Sequence, residues 1–295
     1  MNRLPVAKRV QVLSMLVEGV SLRSISRLVD VSINTVTREL IVAGVACAAF
    51  HDEKVRNVPS KRVQCDEIWS FVYAKAKNVP EEKRGQFGFG DVWTWTAIDA
   101  DHKLIISWFV GGRDAGAAHE LMTDCARRLA GRVQLTTDGH KAYLSAVEDA
   151  FACDVDYAML IKLYGEATKE EQRKYSPAEC IGTERQTITG DPDPKHISTS
   201  YVERQNLTMR MSMRRFTRLT NAFSKKVQNH AWMIALYAVW YNFVRIHKTL
   251  RVTPAMEAGL TDKLMSMEDL AEIVAAWDNA QPRKKPGRKP KAESN

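Results

Sequence analysis

Three acidic residues stand where their side chains could hold divalent metal ions. Asp66 lies in a strand-like run, VQCDEIWSFV, Asp138 ends another, LTTDGH, and Glu203 belongs to a helical segment. Two-metal phosphoryl transfer needs hard oxygen ligands brought together from separate elements. The three acids therefore predict a site for two Mg²⁺ ions, which Mn²⁺ could replace, and a reaction at phosphate.

Glu203 stands out because the segment around it is strongly basic. Residues 199–226 contain seven Lys or Arg and this one acid. On a helix, Asn206 and Arg210 share the face of Glu203, and Arg210 lies about 10 Å along the axis. This face, together with Arg214, is predicted to bind a DNA backbone beside the metal. A solvated basic helix with one incidental acid is the alternative.

The other acids near these positions are assigned differently. Strand alternation sends Asp66 and Glu67 to opposite faces of a sheet, so we expect only Asp66 to be a ligand. Asp99 and Asp101 fall between two strand-like runs, where we expect them to make turn hydrogen bonds. Because the chain has 35 acidic residues, the triad depends on where each acid lies in its element.

Composition favours a globular protein with a polyanionic partner. The 295 residues are 45% hydrophobic and 26% charged, and 43 basic against 35 acidic residues give a net charge of +8. DNA fits this charge, with an anionic membrane as the alternative. We expect a cytoplasmic protein that does not enter a membrane, since no apolar run suits a spanning helix and no signal peptide is visible. The cysteines lack a CxxC pair and are predicted to be free thiols.

Residues 1–45 predict a small all-α helix-turn-helix domain. Ser21 and Ser32 are suited to cap its second and third helices. The third helix is predicted to enter a major groove. The residues predicted to contact DNA there are Asn34, Thr35, Thr37 and Arg38. A three-helix bundle that binds nothing is the alternative.

The middle of the chain predicts an α/β fold. After a predicted linker at residues 46–62, strand-like runs cover 63–73, 92–100, 104–110, 133–137 and 155–163. Three strands precede an alternation of helices and strands, which is typical of a ribonuclease H-like mixed sheet with flanking helices. We assign residues 63–260 to this domain. Residues 166–197 lack apolar periodicity and are predicted to be a surface insertion.

The C-terminal part predicts two helices and a basic tail. Residues 227–246 are so rich in aromatic side chains that the helix must be buried in the core or at a subunit interface. A further helix is predicted at 261–280. Residues 281–295 are basic and rich in proline, which predicts disorder. Lys284, Lys285 and Arg288 are predicted to enter a minor groove, with a general electrostatic tail as the alternative.

The combination of the helix-turn-helix with CDEIW, TTDGH, SYVERQNLTMRM and YNFVRIHKTLRVTPAMEAG resembles bacterial insertion-sequence transposases of the Asp-Asp-Glu type, most closely the insertion sequence one family. The resemblance covers nearly the whole chain. It implies a retroviral-integrase-like catalytic domain in which Asp66, Asp138 and Glu203 bind metal and Arg210 contacts DNA. The 64 residues between Asp138 and Glu203 exceed the spacing in compact retroviral-like cores, and the excess lies in 166–197.

The function implied by this resemblance is that of a transposase that binds inverted-repeat ends and catalyses strand cleavage and integration. Its partners would be double-stranded DNA, both element ends and target, and at least one further copy of the chain, because joining two ends needs two active sites. It would act in the bacterial cytoplasm, associated with the nucleoid when bound. A tyrosine recombinase would need a His-x-x-Arg element, which the sequence lacks. A non-catalytic DNA-binding regulator derived from a transposase remains the alternative.

Overall fold

A six-stranded mixed sheet is the centre of the structure, a computed structural model that describes residues 3–165, 180–217 and 222–282. Its strands are β1 (Arg62–Val72), β2 (Gly90–Asp99), β3 (Ile105–Gly111), β4 (Val133–Asp138), β5 (Val155–Tyr164) and β6 (Cys180–Thr189). The order across the sheet is β3-β2-β1-β4-β5-β6. Strands β1, β4 and β5 are parallel, while β2 runs antiparallel to β1 and β3, and β6 runs antiparallel to β5. This ribonuclease H-like arrangement confirms the predicted fold class.

Helices flank the sheet on both faces. They are α1 (Val6–Val17), α2 (Leu22–Val29), α3 (Ile33–Lys54), α4 (Ala115–Arg128), α5 (Ala142–Phe151), α6 (Ser200–Ser212), α7 (Val227–Val239), α8 (Pro254–Glu257) and α9 (Met267–Ala280). Alternation along β1 divides the core between the two faces. Val63 and Cys65 pack with residues of α4 and α5. Ile68 packs on the opposite face, in a cluster that contains residues of α3 and α7.

The first part of the predicted linker, residues 46–54, is helical instead. Helix α3 has 22 residues and ends at Lys54. Ala46 and Cys47 are buried against the cluster that includes α7, and alanine is the best helix former. The alanine-rich stretch after residue 45 lacks a polar face because packing on α7 buries it. The linker prediction was therefore wrong up to Lys54.

Helices α3 and α7 cross with their backbones in contact. Gly44 lies on α3, and a Cβ atom placed there would be 2.2 Å from Cβ and 2.6 Å from Cα of Trp232 on α7. Within the described part of the chain, α3 is the helix that is long and apolar enough to cross a membrane, with a mean hydropathy of 1.4. Its buried residues include Leu40, Ala43 and Cys47, and they belong to the same core cluster as residues of α7.

The predicted helix-turn-helix domain forms one bundle with the C-terminal helix. The guanidinium of Arg9 is buried and lies 2.6 Å from Glu39 of α3 and 3.1 Å from Asp278 of α9. Asp278 also pairs with Arg3 and Arg38, so removing one partner from this buried group would leave an uncompensated charge. Gly19 follows α1 with φ at 71°, and a Cβ atom there would be 3.1 Å from the carbonyl oxygen of Met211 on α6. The bundle therefore packs directly on α6.

The predicted surface insertion at 166–197 contains a strand. Residues 166–179 lie outside the described residues, but β6 (Cys180–Thr189) pairs with β5 at the edge of the sheet. Most side chains of β6 are exposed. An edge strand that is solvated on both faces needs no apolar alternation, so the sequence pattern gave no sign of it. The tail residues Lys284, Lys285 and Arg288 also lie outside the described residues.

The aromatic helix predicted at 227–246 is buried, as expected. It is α7 followed by a π-helix, Trp240–Val244. Within the π-helix, the side-chain oxygen of Asn242 accepts a hydrogen bond from the backbone nitrogen of Ile105 at 2.9 Å, and its nitrogen donates to the Ile105 carbonyl at 2.8 Å. This pair of bonds attaches the start of β3 to the helical layer.

Two buried histidines predict a loss of stability in acid. Burial lowers the pKa of His51 and of His230 to about 3. The unfolded chain takes up both protons near pH 6.5, so the free energy of unfolding should fall as the pH drops from about 6.5 towards 3, by up to about 1.4 kcal/mol per pH unit for each histidine. His230→Gln should reduce the difference in unfolding free energy between pH 7 and pH 5. Urea titrations would measure it.

The control for this prediction is His119→Gln, because the His119 side chain is 50% exposed. It should leave the pH dependence as it is in the native protein. If the free energy of unfolding of His230→Gln depended on pH as strongly as that of the native protein, this would contradict the assignment of a buried, neutral His230.

Candidate active site

A cleft opens in the sheet where β4 ends. The parallel pairing of β1 with β4 stops at Cys65 and Thr137, whereas β1 continues to Val72 and β5 continues to Tyr164. Because neighbouring strands are about 4.8 Å apart, β1 and β5 lie about 10 Å apart beyond this point. The cleft has a volume of about 670 Å³. Its charged lining residues are Asp66, Asp138, Glu203, Arg113, Lys141 and Lys162.

The three acids of the predicted triad enter this cleft from three elements. Asp66 comes from β1, Asp138 from the end of β4 and Glu203 from the first turn of α6. Gln64 lies two residues before Asp66, on the same face of β1. Its side-chain oxygen accepts hydrogen bonds from the backbone nitrogens of Tyr201 at 2.9 Å and Val202 at 3.2 Å. Gln64 thereby attaches the start of α6 to β1 and fixes where Glu203 enters the cleft.

The acids of the cleft are crowded and poorly solvated. Burial, followed by the negative charge of Asp138, raises the pKa of Asp66 to about 7. The same two causes, in the same order, raise the pKa of Glu67 to about 8. Both shifts have the sign expected for carboxylates that lose water and face like charges. A divalent cation between them would stabilise the ionised forms.

The prediction that Glu67 faces away from the site is wrong. Asp66, Glu67 and Asp138 each offer an oxygen, and these three atoms lie within 4.8 Å of one another. Strand alternation holds along β1. However, β4 ends beside Glu67, so no neighbouring strand separates the Glu67 side chain from Asp138. Arg113 lies next to both acids, with Nη2 3.4 Å from Glu67 Oε2 and 3.8 Å from Asp138 Oδ2. No sequence pattern had indicated Arg113.

Glu203 also lines the cleft. Its Oε1 lies 2.6 Å from Nζ of Lys162 on β5, and it also accepts a hydrogen bond from the Thr199 hydroxyl. Its negative charge contributes to the raised pKa of Asp66. Glu203 therefore faces the same space as the other two acids, while Lys162 neutralises it. Sequence reasoning had not identified Lys162 either.

Asn206 faces the acids instead of solvent. It is 6% exposed, and its Nδ2 donates a hydrogen bond to Asp66 Oδ2 at 2.8 Å. Its helical position one turn after Glu203 turns it towards β1, and its contact with DNA stays a prediction. Its role in this structure is to orient the carboxylate of Asp66.

The expected result for Asn206→Ala is a roughly tenfold to hundredfold loss of Mn²⁺ affinity, because Asp66 loses the hydrogen bond that orients it. Titration of the purified protein with Mn²⁺ would measure the change. Thr208→Ala is a control on the same helix, since the Thr208 hydroxyl donates to the Arg204 carbonyl of its own helix. Native affinity in Asn206→Ala would show that the amide does not support the metal site.

The other residues predicted to bind DNA have varied surroundings. Arg210 is half-buried and lines a groove of about 440 Å³, and Arg214 is exposed. In the N-terminal bundle Asn34 is exposed. The other three of that set are partly engaged: Thr35 contacts the capping Ser32, the Thr37 hydroxyl donates to the Ile33 carbonyl, and Arg38 is 3.4 Å from Asp278. Their contacts with DNA stay predictions.

The donor set of the cleft fits a hard divalent cation. The ligand atoms available are carboxylate oxygens, which Mg²⁺ and Mn²⁺ prefer. In the described part of the chain, two buried oxygens near this cluster, Glu67 Oε1 and Asn206 Oδ1, have no hydrogen-bond partner. Buried polar atoms are almost always paired. A cation, or water bound to one, would give both atoms a partner.

Comparison with known proteins identifies no family but finds similar solved structures. No family model and no curated protein matches the sequence. A crystal structure of the Mos1 mariner paired-end complex with Mn is 14% identical, with a TM-score of 0.24 over 53% of this chain and 59% of that chain. A synaptic complex of piggyBac transposase with hairpin DNA is 10% identical, with a TM-score of 0.33 over 87% and 57%. A pre-cleavage Mos1 transpososome is 10% identical, with a TM-score of 0.31 over 94% and 80%.

The first of these alignments spans less than two thirds of the Mos1 chain, at 59%. The similarity to these transposase structures is thus distant and, for the first of them, partial. The chemistry of this protein has to be argued from its own cleft.

Proposed function

We propose that this protein is a DNA transposase that binds the inverted-repeat ends of an insertion sequence and catalyses metal-dependent strand cleavage and strand transfer. The observation that carries the proposal is the convergence of Asp66, Asp138 and Glu203 from three elements on one cleft. Oxygen ligands from separate elements are what phosphoryl transfer with two metal ions requires. The bacterial insertion sequence one family remains the closest resemblance of the motifs.

Each charged residue of the cleft has a role in this proposal. Bound Mg²⁺ or Mn²⁺ would supply Lewis-acid activation at the phosphate. Asp66, Asp138 and Glu203 would hold the ions, and Asn206 would keep Asp66 in position through its hydrogen bond. Arg113 and Lys141, which line the same cleft, are placed to bind phosphate oxygens. In the first step water would hydrolyse a phosphodiester bond at the element end and leave a 3′ hydroxyl there. In the second step this hydroxyl would attack a target phosphodiester in line, which forms the new bond and releases the 3′ hydroxyl of the cut target strand.

DNA recognition is assigned to the N-terminal bundle. Ser32 caps α3 through the backbone nitrogen of Thr35, and Asn34 is exposed at the start of this helix. This placement suits a helix that reads base edges in the major groove. Arg38 could contact a phosphate only by leaving Asp278 on α9. Two copies of the protein would be needed to join two element ends.

The test is excision and integration of a marked plasmid element bounded by the gene's own genomic flanks. Native protein should move the marker, and Glu203→Gln should not, although it should bind the flanks as tightly as the native protein does. Equal movement by both proteins would remove Glu203 from the mechanism. Tight binding of the flanks without any movement by the native protein would favour the non-catalytic regulator.

A further inference from the structure

Glu67 is a fourth acid at the cleft, outside the predicted triad. Its side chain is 1% exposed, which is rare for a glutamate without full pairing. One carboxylate oxygen, Oε2, faces Arg113 at 3.4 Å. The other, Oε1, is buried and meets no donor at hydrogen-bond geometry among the residues that the structure describes, although the buried Tyr143 hydroxyl lies close enough to act on the Glu67 carboxylate as a donor. Such an oxygen costs free energy in the folded protein unless something else binds it.

The arrangement of the neighbouring acids indicates what that partner is. Asp66, Glu67 and Asp138 offer three oxygens within 4.8 Å of one another. A Mg²⁺ ion holds its ligands at about 2.1 Å, so two ligands on opposite sides of it are about 4.2 Å apart. Small side-chain rotations would bring the three oxygens to this separation. The three oxygens are thus close enough together to become ligands of one divalent cation.

A role through Arg113 is the competing explanation. The Arg113 guanidinium lies 4.7 Å from the ring centre of Trp93 and also near Asp138. Glu67 could serve only to hold that guanidinium over the cleft. This role would use Oε2, and the Tyr143 hydroxyl is available as a donor to Oε1. Neither partner explains why three carboxylates lie within 4.8 Å of one another, because like charges repel unless a cation lies between them.

We propose that Glu67 supplies a ligand oxygen to a divalent cation that it shares with Asp66 and Asp138. The inference rests on the proposed metal-dependent function and adds a fourth carboxylate to its site. Glu203 is not part of this set and pairs with Lys162 instead.

The experiment is a calorimetric titration of the full-length protein, without DNA, with Mn²⁺. Glu67→Gln, which has nearly the shape of the native side chain, should weaken Mn²⁺ binding by roughly tenfold or more. Arg113→Met, which removes the other neighbour of Glu67, should not weaken it. Glu184→Gln is the matched control, since Glu184 is exposed on β6 and should bind Mn²⁺ as the native protein does.

Circular dichroism would verify that each variant is folded. If Glu67→Gln does not fold, Glu67→Asp replaces it, because it keeps the charge and withdraws the oxygen by one methylene group. Weaker Mn²⁺ binding by Glu67→Asp would support the ligand role.

Native Mn²⁺ affinity in a folded Glu67 variant would overturn the assignment. Equal weakening in Glu67→Gln and Arg113→Met would also overturn it, in favour of a role through Arg113. If the native protein itself binds no Mn²⁺, the proposed metal-dependent function fails, and the ligand role of Glu67 fails with it. The three results are distinguishable within one set of titrations.

Discussion

Asp66→Asn is expected to lower strand-transfer activity by roughly a thousandfold or more, equivalent to about 4 kcal/mol of transition-state stabilisation. The amide cannot replace a carboxylate ligand, and Asp66 is close enough to both Asp138 and Glu203 for their charges to raise its pKa. The variant should fold, because burial and the charge of Asp138 already raise the pKa of Asp66 to about 7, so that a neutral side chain is well tolerated there. Strand transfer with purified protein would measure the loss, with a gel-shift assay for DNA binding.

The matched control is Asp154→Asn. The side chain of Asp154 is 75% exposed and lies 3.7 Å from Arg132, outside the residues that line the cleft. It should keep both strand transfer and DNA binding. Substantial activity in Asp66→Asn, with intact DNA binding, would show that the cleft at the end of β4 is not where the chemistry occurs.

Gly44→Leu should cost at least about 3 kcal/mol of unfolding free energy, since overpacking of a well-packed core typically costs about 1 to 3 kcal/mol and occasionally more. Even the first added atom would lie 2.2 Å from Trp232 Cβ and 2.7 Å from its carbonyl oxygen. Two helix backbones would have to separate to admit the side chain, and backbone cannot rotate away as a flexible side chain can. Urea unfolding of the purified variant would measure the change.

The same substitution at Gly131 is the control. A Cβ atom at Gly131 would meet nothing within 4 Å, and the residue is exposed. Gly131→Leu should therefore change the free energy of unfolding by less than about 0.5 kcal/mol. Native stability in Gly44→Leu would mean that α3 and α7 do not cross as closely as described.

Sequence reasoning succeeded where a local pattern is itself the physical cause. Burial of β1 to β5 requires the apolar runs that predicted these strands, and the order of elements followed from the chain. The turn assigned to Asp99 is confirmed: its Oδ1 accepts hydrogen bonds from the backbone nitrogens of Asp101 at 2.8 Å and His102 at 3.0 Å. Such turn chemistry is set within a few residues.

The errors arose where distant parts of the chain decide. Strand alternation describes Glu67 correctly within β1, but only the early end of β4 lets its carboxylate reach Asp138. Helical spacing placed Asn206 near Glu203, and only the position of β1 turns its amide to Asp66. The predicted third helix ended too early, because the burial of α3 depends on α7, almost two hundred residues later in the sequence. Lys162 and Arg113 had no local signal at all.

The unbroken α3 has a consequence for where the DNA would be cut. The helix begins beside Asn34 and, with 22 residues, is about 33 Å long, close to the 34 Å of one turn of duplex DNA. It is buried against α7 and cannot act as a hinge. The predicted recognition residues at its start would therefore keep a fixed distance from the cleft. Insertion of half a helical turn of DNA between the recognised sequence and the element end would rotate the scissile phosphate to the far side of the duplex. Insertion of a full turn would return the phosphate to the near side but would place it too far along the DNA to reach the cleft.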